Sequence, residues 1–223
     1  MKQNFFALSA SPFLIGLLLL GIRAGAGTDF QLPIRLHHQE HSLSCEAASL
    51  KMLLASIGVQ VTEDEIIRQM PFDTTPKRAG IWGDPDTAFV GDINGEMGVT
   101  GYGIHAKGLS IVASRWAKPT VIENGSIGLL TQFLLQKHPV LIWGYGDSNK
   151  KVKWRTPSGK LITAMDDEHV RVVYGFRGNV EAPTHFYLLD SQHGLLNWSA
   201  QKLLDNWSIS GRSALVLEKL TTQ

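Results

Sequence analysis

Cysteine is all but missing from this sequence of 223 residues: Cys45 stands alone, so no disulfide can close within the chain and the fold must hold without one. A surplus of either charge is missing as well. The formal net charge is +1, and setting aside Lys2 and Arg23 leaves 19 basic against 20 acidic residues after Ala26. That balance excludes the broad basic surface that nucleic acid or anionic lipid calls for. Three familiar site patterns also fail. His37, His38 and His41 crowd around Glu40, but not in the HExxH order of zinc peptidases, and a site of His38, His41 and Cys45 would straddle a loop and a helix start with no fourth ligand. Asp92-Ile93-Asn94-Gly95-Glu96 has neither the spacing nor the distal glutamate of an EF-hand. Asn124-Gly125-Ser126-Ile127-Gly128 puts asparagine where a serine nucleophile elbow needs its first glycine. No metal and no cofactor is therefore assigned.

Met1 to Ala26 reads as an export signal, with Lys2 near the start, an apolar run from Phe5 to Ile22, and the small residues Ala24-Gly25-Ala26 before the cleavage point. The mature chain would begin at Gly27. An uncleaved N-terminal membrane anchor is the alternative, because about 17 to 25 apolar residues suffice to span a bilayer. Either outcome places the chain outside the cytoplasm, secreted or at the cell surface, and residues 27–223 have the length of one domain. Cysteines of exported proteins ordinarily pair, so one that cannot is either a small buried hydrophobe or a thiol kept for chemistry.

What is present is organised around Gln39 to Gly58. From Ala47 the apolar residues Ala47, Leu50, Leu53, Leu54 and Ile57 follow the spacing of one buried helical face, with Ser44 as N-cap and Gly58 as the residue that ends the helix. Cys45 thus falls in the first turn, where unpaired N–H groups and the positive end of the helix dipole favour thiolate over thiol. With an imidazolium beside it, such a thiol is expected to ionise at about pH 3.5 to 7.5.

An extended piece, Phe30 to Leu36, precedes this helix, and a second helix follows through Gln69 with Thr62 and Glu65 as a capping box and Pro71 as its end. The Gly-, Pro- and Asp-rich stretch 72–108 is too long for a simple connection and is expected to cover or shape a site, anchored by Trp82, Phe89 and Tyr102. Helices are expected over Leu109 to Trp116 and after Ser126. Strands are expected at Val140 to Trp143, Lys151 to Arg155, Lys160 to Ala164, Val170 to Phe176, His185 to Asp190 and Ala214 to Leu220, with a short helix from Ala200 to Asn206. Helices first and strands afterwards predict an α+β domain with an antiparallel sheet.

A thiolate nucleophile needs a base to take its proton, and the base needs a partner to fix its tautomer. If the hairpin around Arg177 to Thr184 turns about Asn179 and Val180, His169 faces Asp190 directly. A slip of two residues puts Gln192 opposite His169 and leaves Asp190 a diagonal neighbour. His105, His185 and His193 have no acidic partner that strand geometry would supply.

The run Gln39 to Leu54, with its glutamine six residues before the cysteine, resembles the nucleophile segment of the bacteriocin-processing, double-glycine-type peptidases, a papain-like group that includes stand-alone exported members. Glu168-His169-Val170 through Gly175-Phe176, and the strand ending at Asp190, resemble that group's histidine and aspartate segments. Trp82 to Ile104 resembles the insertion of the stand-alone branch, and the likeness spans about Leu36 to Val216. It implies a papain-like α+β fold, N-terminal helices carrying the cysteine packed on a C-terminal antiparallel sheet carrying the histidine and aspartate. It further implies a cysteine peptidase acting on a peptide or protein, with Cys45 as nucleophile, His169 as general base and acid, Asp190 as the orienting residue and Gln39 as an oxyanion-hole donor. The same triad would suit a cell-wall peptide amidase or acyl-transferase, and a catalytically silent surface-binding module is the alternative from another class. Two positions depart from the group: Ser191 stands where proline is common, and Glu46 where transporter-linked members favour a small residue.

Overall fold

The structure is a computed structural model that describes residues 28–220, so the expected export segment lies outside the described residues. In chain order the elements are β1 (Thr28–Gln31), α1 (Cys45–Ser56), α2 (Glu63–Ile67), β2 (Phe72–Asp73), β3 (Phe89–Val90), α3 (Ala106–Ala113), β4 (Ala117–Ile122), α4 (Ile127–Leu135), β5 (Val140–Tyr145), β6 (Lys151–Arg155), β7 (Leu161–Met165), β8 (Glu168–Gly178), β9 (Pro183–Asp190), β10 (Gly194–Ser199), α5 (Ala200–Ser208) and β11 (Ala214–Lys219). A seven-stranded antiparallel sheet runs in the order β10-β9-β8-β5-β11-β4, with β1 also paired to β8. β8 is its longest strand: β9 lies along one side, while β5 and then β1 share the other. Its side chains alternate between two cores. Val170 and Val172 pack with α1, and Val173 and Phe176 pack with Leu130, Leu134, Leu203 and Trp207 of α4 and α5. Covered on both faces, β8 reads as an apolar run rather than an alternation.

α1 is buried more completely than one apolar stripe would require. Ala48, Ser49 and Met52 are as inaccessible as Leu50, Leu53 and Leu54, because the sheet, α2 and the 72–108 insertion surround the helix. Each of those leucines contributes about 1.5–3 kcal/mol by leaving water. Gly58 ends the helix as expected: with φ +83°, it donates to Ala55 O while Val59 donates to Leu54 O, the paired bonds of a Schellman turn. The Thr62–Glu65 capping box opens α2 with both of its hydrogen bonds made.

Four strands had no counterpart in the sequence reading: β2 and β3, a short parallel pair within the insertion, and β4 and β10, the two edges of the main sheet. Pro119 is tolerated in β4 because an edge strand has one side free of ladder partners. The insertion is packed rather than loose. Trp82 and Tyr102 pack on Trp154 of β6 at ring separations of 5.3 and 5.1 Å and on each other at 6.0 Å, and Phe89 enters the main core. No helix among the described residues is long and apolar enough to cross a membrane.

Candidate active site

Cys45 is the first residue of α1, and Ser44 stands at the N-cap without capping. The Ser44 hydroxyl instead closes the preceding turn, accepting from His41 N and donating to His41 O, both at 3.1 Å. The Ser44 side chain therefore offers the first-turn N–H groups no acceptor. Gln39 also serves this turn. Its amide donates to the carbonyls of His41 and Ser42, each at 2.9 Å, and its Oε1 accepts from Ser191 Oγ at 2.8 Å. Both of its N–H bonds are thus engaged, and it does not line the cavity at Cys45. Serine at position 191 uses the hydroxyl that a proline would lack: it ties the end of β9 to the loop before Cys45, reinforced by Gln39 N to Ser191 O at 3.1 Å.

The β8–β9 hairpin adopts the slipped register of the two considered. Val172 pairs with Leu189 and Gly178 with Pro183, with bulges between, so the turn centres one residue later than Asn179–Val180. Asp190 consequently lies diagonal to His169, yet the two meet, His169 Nε2 to Asp190 Oδ1 at 3.0 Å. Arg171 was not foreseen. One pleat along from His169 on the same face, it donates from Nε to Asp190 Oδ2 at 2.8 Å and from Nη1 to Tyr145 O at 3.0 Å. The alternation His169-Val170-Arg171 carried the signal, since residues two apart in a strand share a face. Gln192 N and His193 N also donate to Asp190 Oδ1, at 2.9 and 3.0 Å. Burial works against the carboxylate's charge, but the His169 hydrogen bond and charge, with Arg171, hold its pKa well below the usual range.

Cys45 and His169 open onto one cavity of about 130 Å³ at the sheet rim, completed by residues that include Leu43, Met97, Gly146, Asp167 and His193. Asp190 takes the Nε2 side of the imidazole, and Nδ1 has no hydrogen bond among the described residues. The sulfur's hydrogen bond in this state goes elsewhere, from Sγ to Glu46 Oε2 at 3.3 Å. Contrary to the low value expected at a helix N-terminus, burial first, and then the charge that Glu46 carries when ionised, push the Cys45 thiol well above its ordinary pKa. The Sγ contact with Glu46 Oε2 is that of a thiol donating to a carboxyl oxygen.

Glu46, Glu168 and the insertion form a buried polar network behind the cysteine. Glu46 Oε1 accepts from Ile104 N at 2.8 Å, Glu168 Oε2 accepts from Tyr102 Oη at 2.6 Å, and His105 bridges Glu168 and Asp86 through its two ring nitrogens at 3.2 and 2.6 Å. Burial disfavours the His105 cation, but the carboxylates on either side outweigh it and lift its pKa to about 10. Of the other sequence-noted histidines, His38 is held at Ser191 O and His41 between Asn94 and Asp64, whereas His193 stays at the cavity with its Nδ1 3.3 Å from Asp190 Oδ1.

A thiol in the first turn of a buried helix, and an aspartate-held imidazole at the rim of the adjoining antiparallel sheet, place the fold in the α+β papain-like class. The chain belongs to the peptidase C39-like family, whose model matches residues 31–215. It is 27% identical over 160 residues to the uncharacterised protein YvpB of Bacillus subtilis (strain 168), covering 64% of this chain and 62% of that protein, so it spans less than two thirds of that curated relative. Among solved structures, a candidate C39-like peptidase from Bacillus anthracis superposes with a TM-score of 0.74 at 22% identity, over 87% of this chain and 100% of the other. A double-glycine-motif protease from an AMS/PCAT transporter, in complex with its leader peptide, gives a TM-score of 0.49 at 16% identity over 86% and 95% of the two chains.

Proposed function

We propose that this family member is an exported cysteine peptidase that hydrolyses peptide bonds in a peptide or protein, with Cys45 as nucleophile, His169 as general base and acid, and Asp190 as the group that holds the imidazole. The observation that carries this reading is the shared cavity: thiol and imidazole face it together, and Asp190 leaves Nδ1 as the free ring nitrogen. His169 takes the thiol proton as sulfur adds to the scissile carbonyl, and returns it to the leaving amine as the carbon–nitrogen bond breaks. Water, deprotonated by the same imidazole, then attacks the thioester and frees the acid and the thiol. The uncapped N–H of Cys45 supports the oxyanion. Gln39 joins it by exchanging one of its loop carbonyls for the substrate oxygen.

On that role, Gln39→Ala lowers kcat by about 10²-fold or more with little change in KM, and lowers the melting temperature because His41, Ser42 and Ser191 lose their partner. An unchanged kcat with a raised KM would make Gln39 a substrate contact instead.

The reading as a whole is tested with a peptide-based thiol-reactive probe that cannot cross membranes, applied to intact cells and culture medium. Labelling of wild type and none of Cys45→Ala is the expected result; labelling only after unfolding would make Cys45 a structural residue. Amines released from peptide libraries, rather than from cell-wall fragments, separate a peptidase from a wall amidase.

A further inference from the structure

Cys45 and His169 are each followed or preceded in the chain by a buried glutamate, Glu46 and Glu168, and the fold brings these two carboxyls together. Gly103 lies between them. A Cβ there would stand 2.3 Å from Glu46 Oε1 and 3.4 Å from Glu168 Oε1, at a backbone φ of +148° that few other residues adopt. Two carboxylates at such close quarters, out of water, do not both ionise. Their partners decide which keeps the proton. Glu168 Oε2 has the Tyr102 hydroxyl and the His105 imidazolium, whereas Glu46 has, besides the Cys45 thiol, only backbone donors, the Ile104 N–H and its own. Among the described residues Glu168 Oε1 has no hydrogen-bond partner, which leaves no donor between the two side chains to relieve a second negative charge.

The proton on Glu46 has one good place. Oε1 accepts from Ile104 N–H and is therefore the carbonyl oxygen of the acid, which makes Oε2 the hydroxyl oxygen, and Oε2 is the atom 3.3 Å from Cys45 Sγ. We propose that Glu46 is a further catalytic residue, acting as the neutral acid whose Oε2 hydroxyl donates to the Cys45 sulfur and stabilises the thiolate that attacks the substrate. When His169 takes the thiol proton, the contact reverses: sulfur, a donor to Glu46 at rest, becomes the acceptor. Glu46 neither gains nor loses a proton in the cycle. An ionised Glu46 would instead oppose thiolate formation at contact distance. Burial, followed by the charge of Glu168, pushes Glu46 up to about 8, so the neutral acid prevails below that pH and is lost above it. The titratable groups that bear on Glu46 are Cys45 on its own helix, Glu168 on β8, and Tyr102 and His105 of the insertion through Glu168.

This role rests on Cys45 being the nucleophile, and its test reads the thiolate directly so that the two ideas fail separately. The rate of Cys45 alkylation by iodoacetamide is measured against pH for the full chain, for Glu46→Gln, and for His169→Ala, with circular dichroism to confirm folding. Glutamine offers the same acceptor to Ile104 and an N–H to sulfur, but cannot ionise. Wild type is expected to flatten or dip across pH 8, while Glu46→Gln rises without that inflection and exceeds wild type about fivefold at pH 8.5 and above. Glu168→Gln supplies an independent arm: with the neighbouring charge gone, the wild-type inflection moves to lower pH. Superimposable profiles for wild type and Glu46→Gln, or an inflection indifferent to Glu168→Gln, overturn the role of Glu46. A profile indifferent to His169→Ala overturns the Cys45–His169 pair instead.

Discussion

Replacing His169 by alanine is expected to lower peptide turnover by about 10⁴-fold or more, with the protein still folded, because the thiol loses both its proton acceptor and the acid that releases the amine. Asp190→Asn is expected to reduce turnover on a similar scale and to cost stability as well. The carboxylate accepts four donors, from His169, Gln192 and His193 on Oδ1 and from Arg171 on Oδ2. An asparagine must turn its NH₂ group on one of these sets, leaving donors facing each other in a buried site at about 1–3 kcal/mol. Steady-state kinetics alongside thermal melting separates the two variants. Full turnover in His169→Ala would shift the base to His193, which lines the same cavity.

Arg171→Met is expected to be the most destabilising single change at the site. Arg171 is 4% exposed and Asp190 is fully buried, so removing the guanidinium strands a charge rather than simply losing a contact, at about 3–5 kcal/mol. The pH dependence has a definite sign. Asp190 is depressed in the folded state, so the stability it supplies is fully present above the unfolded value of about 3.9 and is lost as pH falls through the lower folded value. Methionine removes part of that depression. The gap in denaturant midpoint between wild type and Arg171→Met should therefore be widest near neutrality and shrink below about pH 4. A gap independent of pH would mean that Arg171 acts through packing on Trp198, whose ring it overlies at 4.6 Å, rather than through its charge. Lysine is no substitute here, because Nε and Nη1 are used in two directions at once.

What could be read from the chain divides along a physical line. Local chemistry was legible: the Gly58 stop, the Thr62–Glu65 box, the Ser126 cap and β6 all rest on interactions within a few residues. The interior strands were legible too, because burial on both faces writes itself as apolar runs. The edge strands were not. β4 carries Lys118 and Pro119, and β10 alternates exposed and half-buried residues until Trp198, so neither differs in composition from a loop. At the candidate site the juxtaposition of Cys45, His169 and Asp190 was legible, but their second partners were not. Arg171 became Asp190's facing neighbour only through the one-residue displacement of the hairpin turn, which the connection from Gly178 to Pro183 sets. The Glu46–Glu168 meeting depends on Gly103 of the insertion passing between helix and sheet, a contact that no local pattern encodes.

That passage makes the insertion costly to trim. In most domains a long surface stretch can be shortened with little penalty, since closing a smaller loop is entropically cheap. Here Ile104 N–H and the Tyr102 hydroxyl are donors to two buried acids, and the Trp143 indole donates back to Ile104 O. A compact chimera that joins α2 directly to α3 would leave Glu46 and Glu168 as neighbouring acids with neither donor. Miniaturising this domain as a scaffold therefore begins not in the loop but with a paired apolar replacement at positions 46 and 168, which gives up the catalytic role proposed for Glu46.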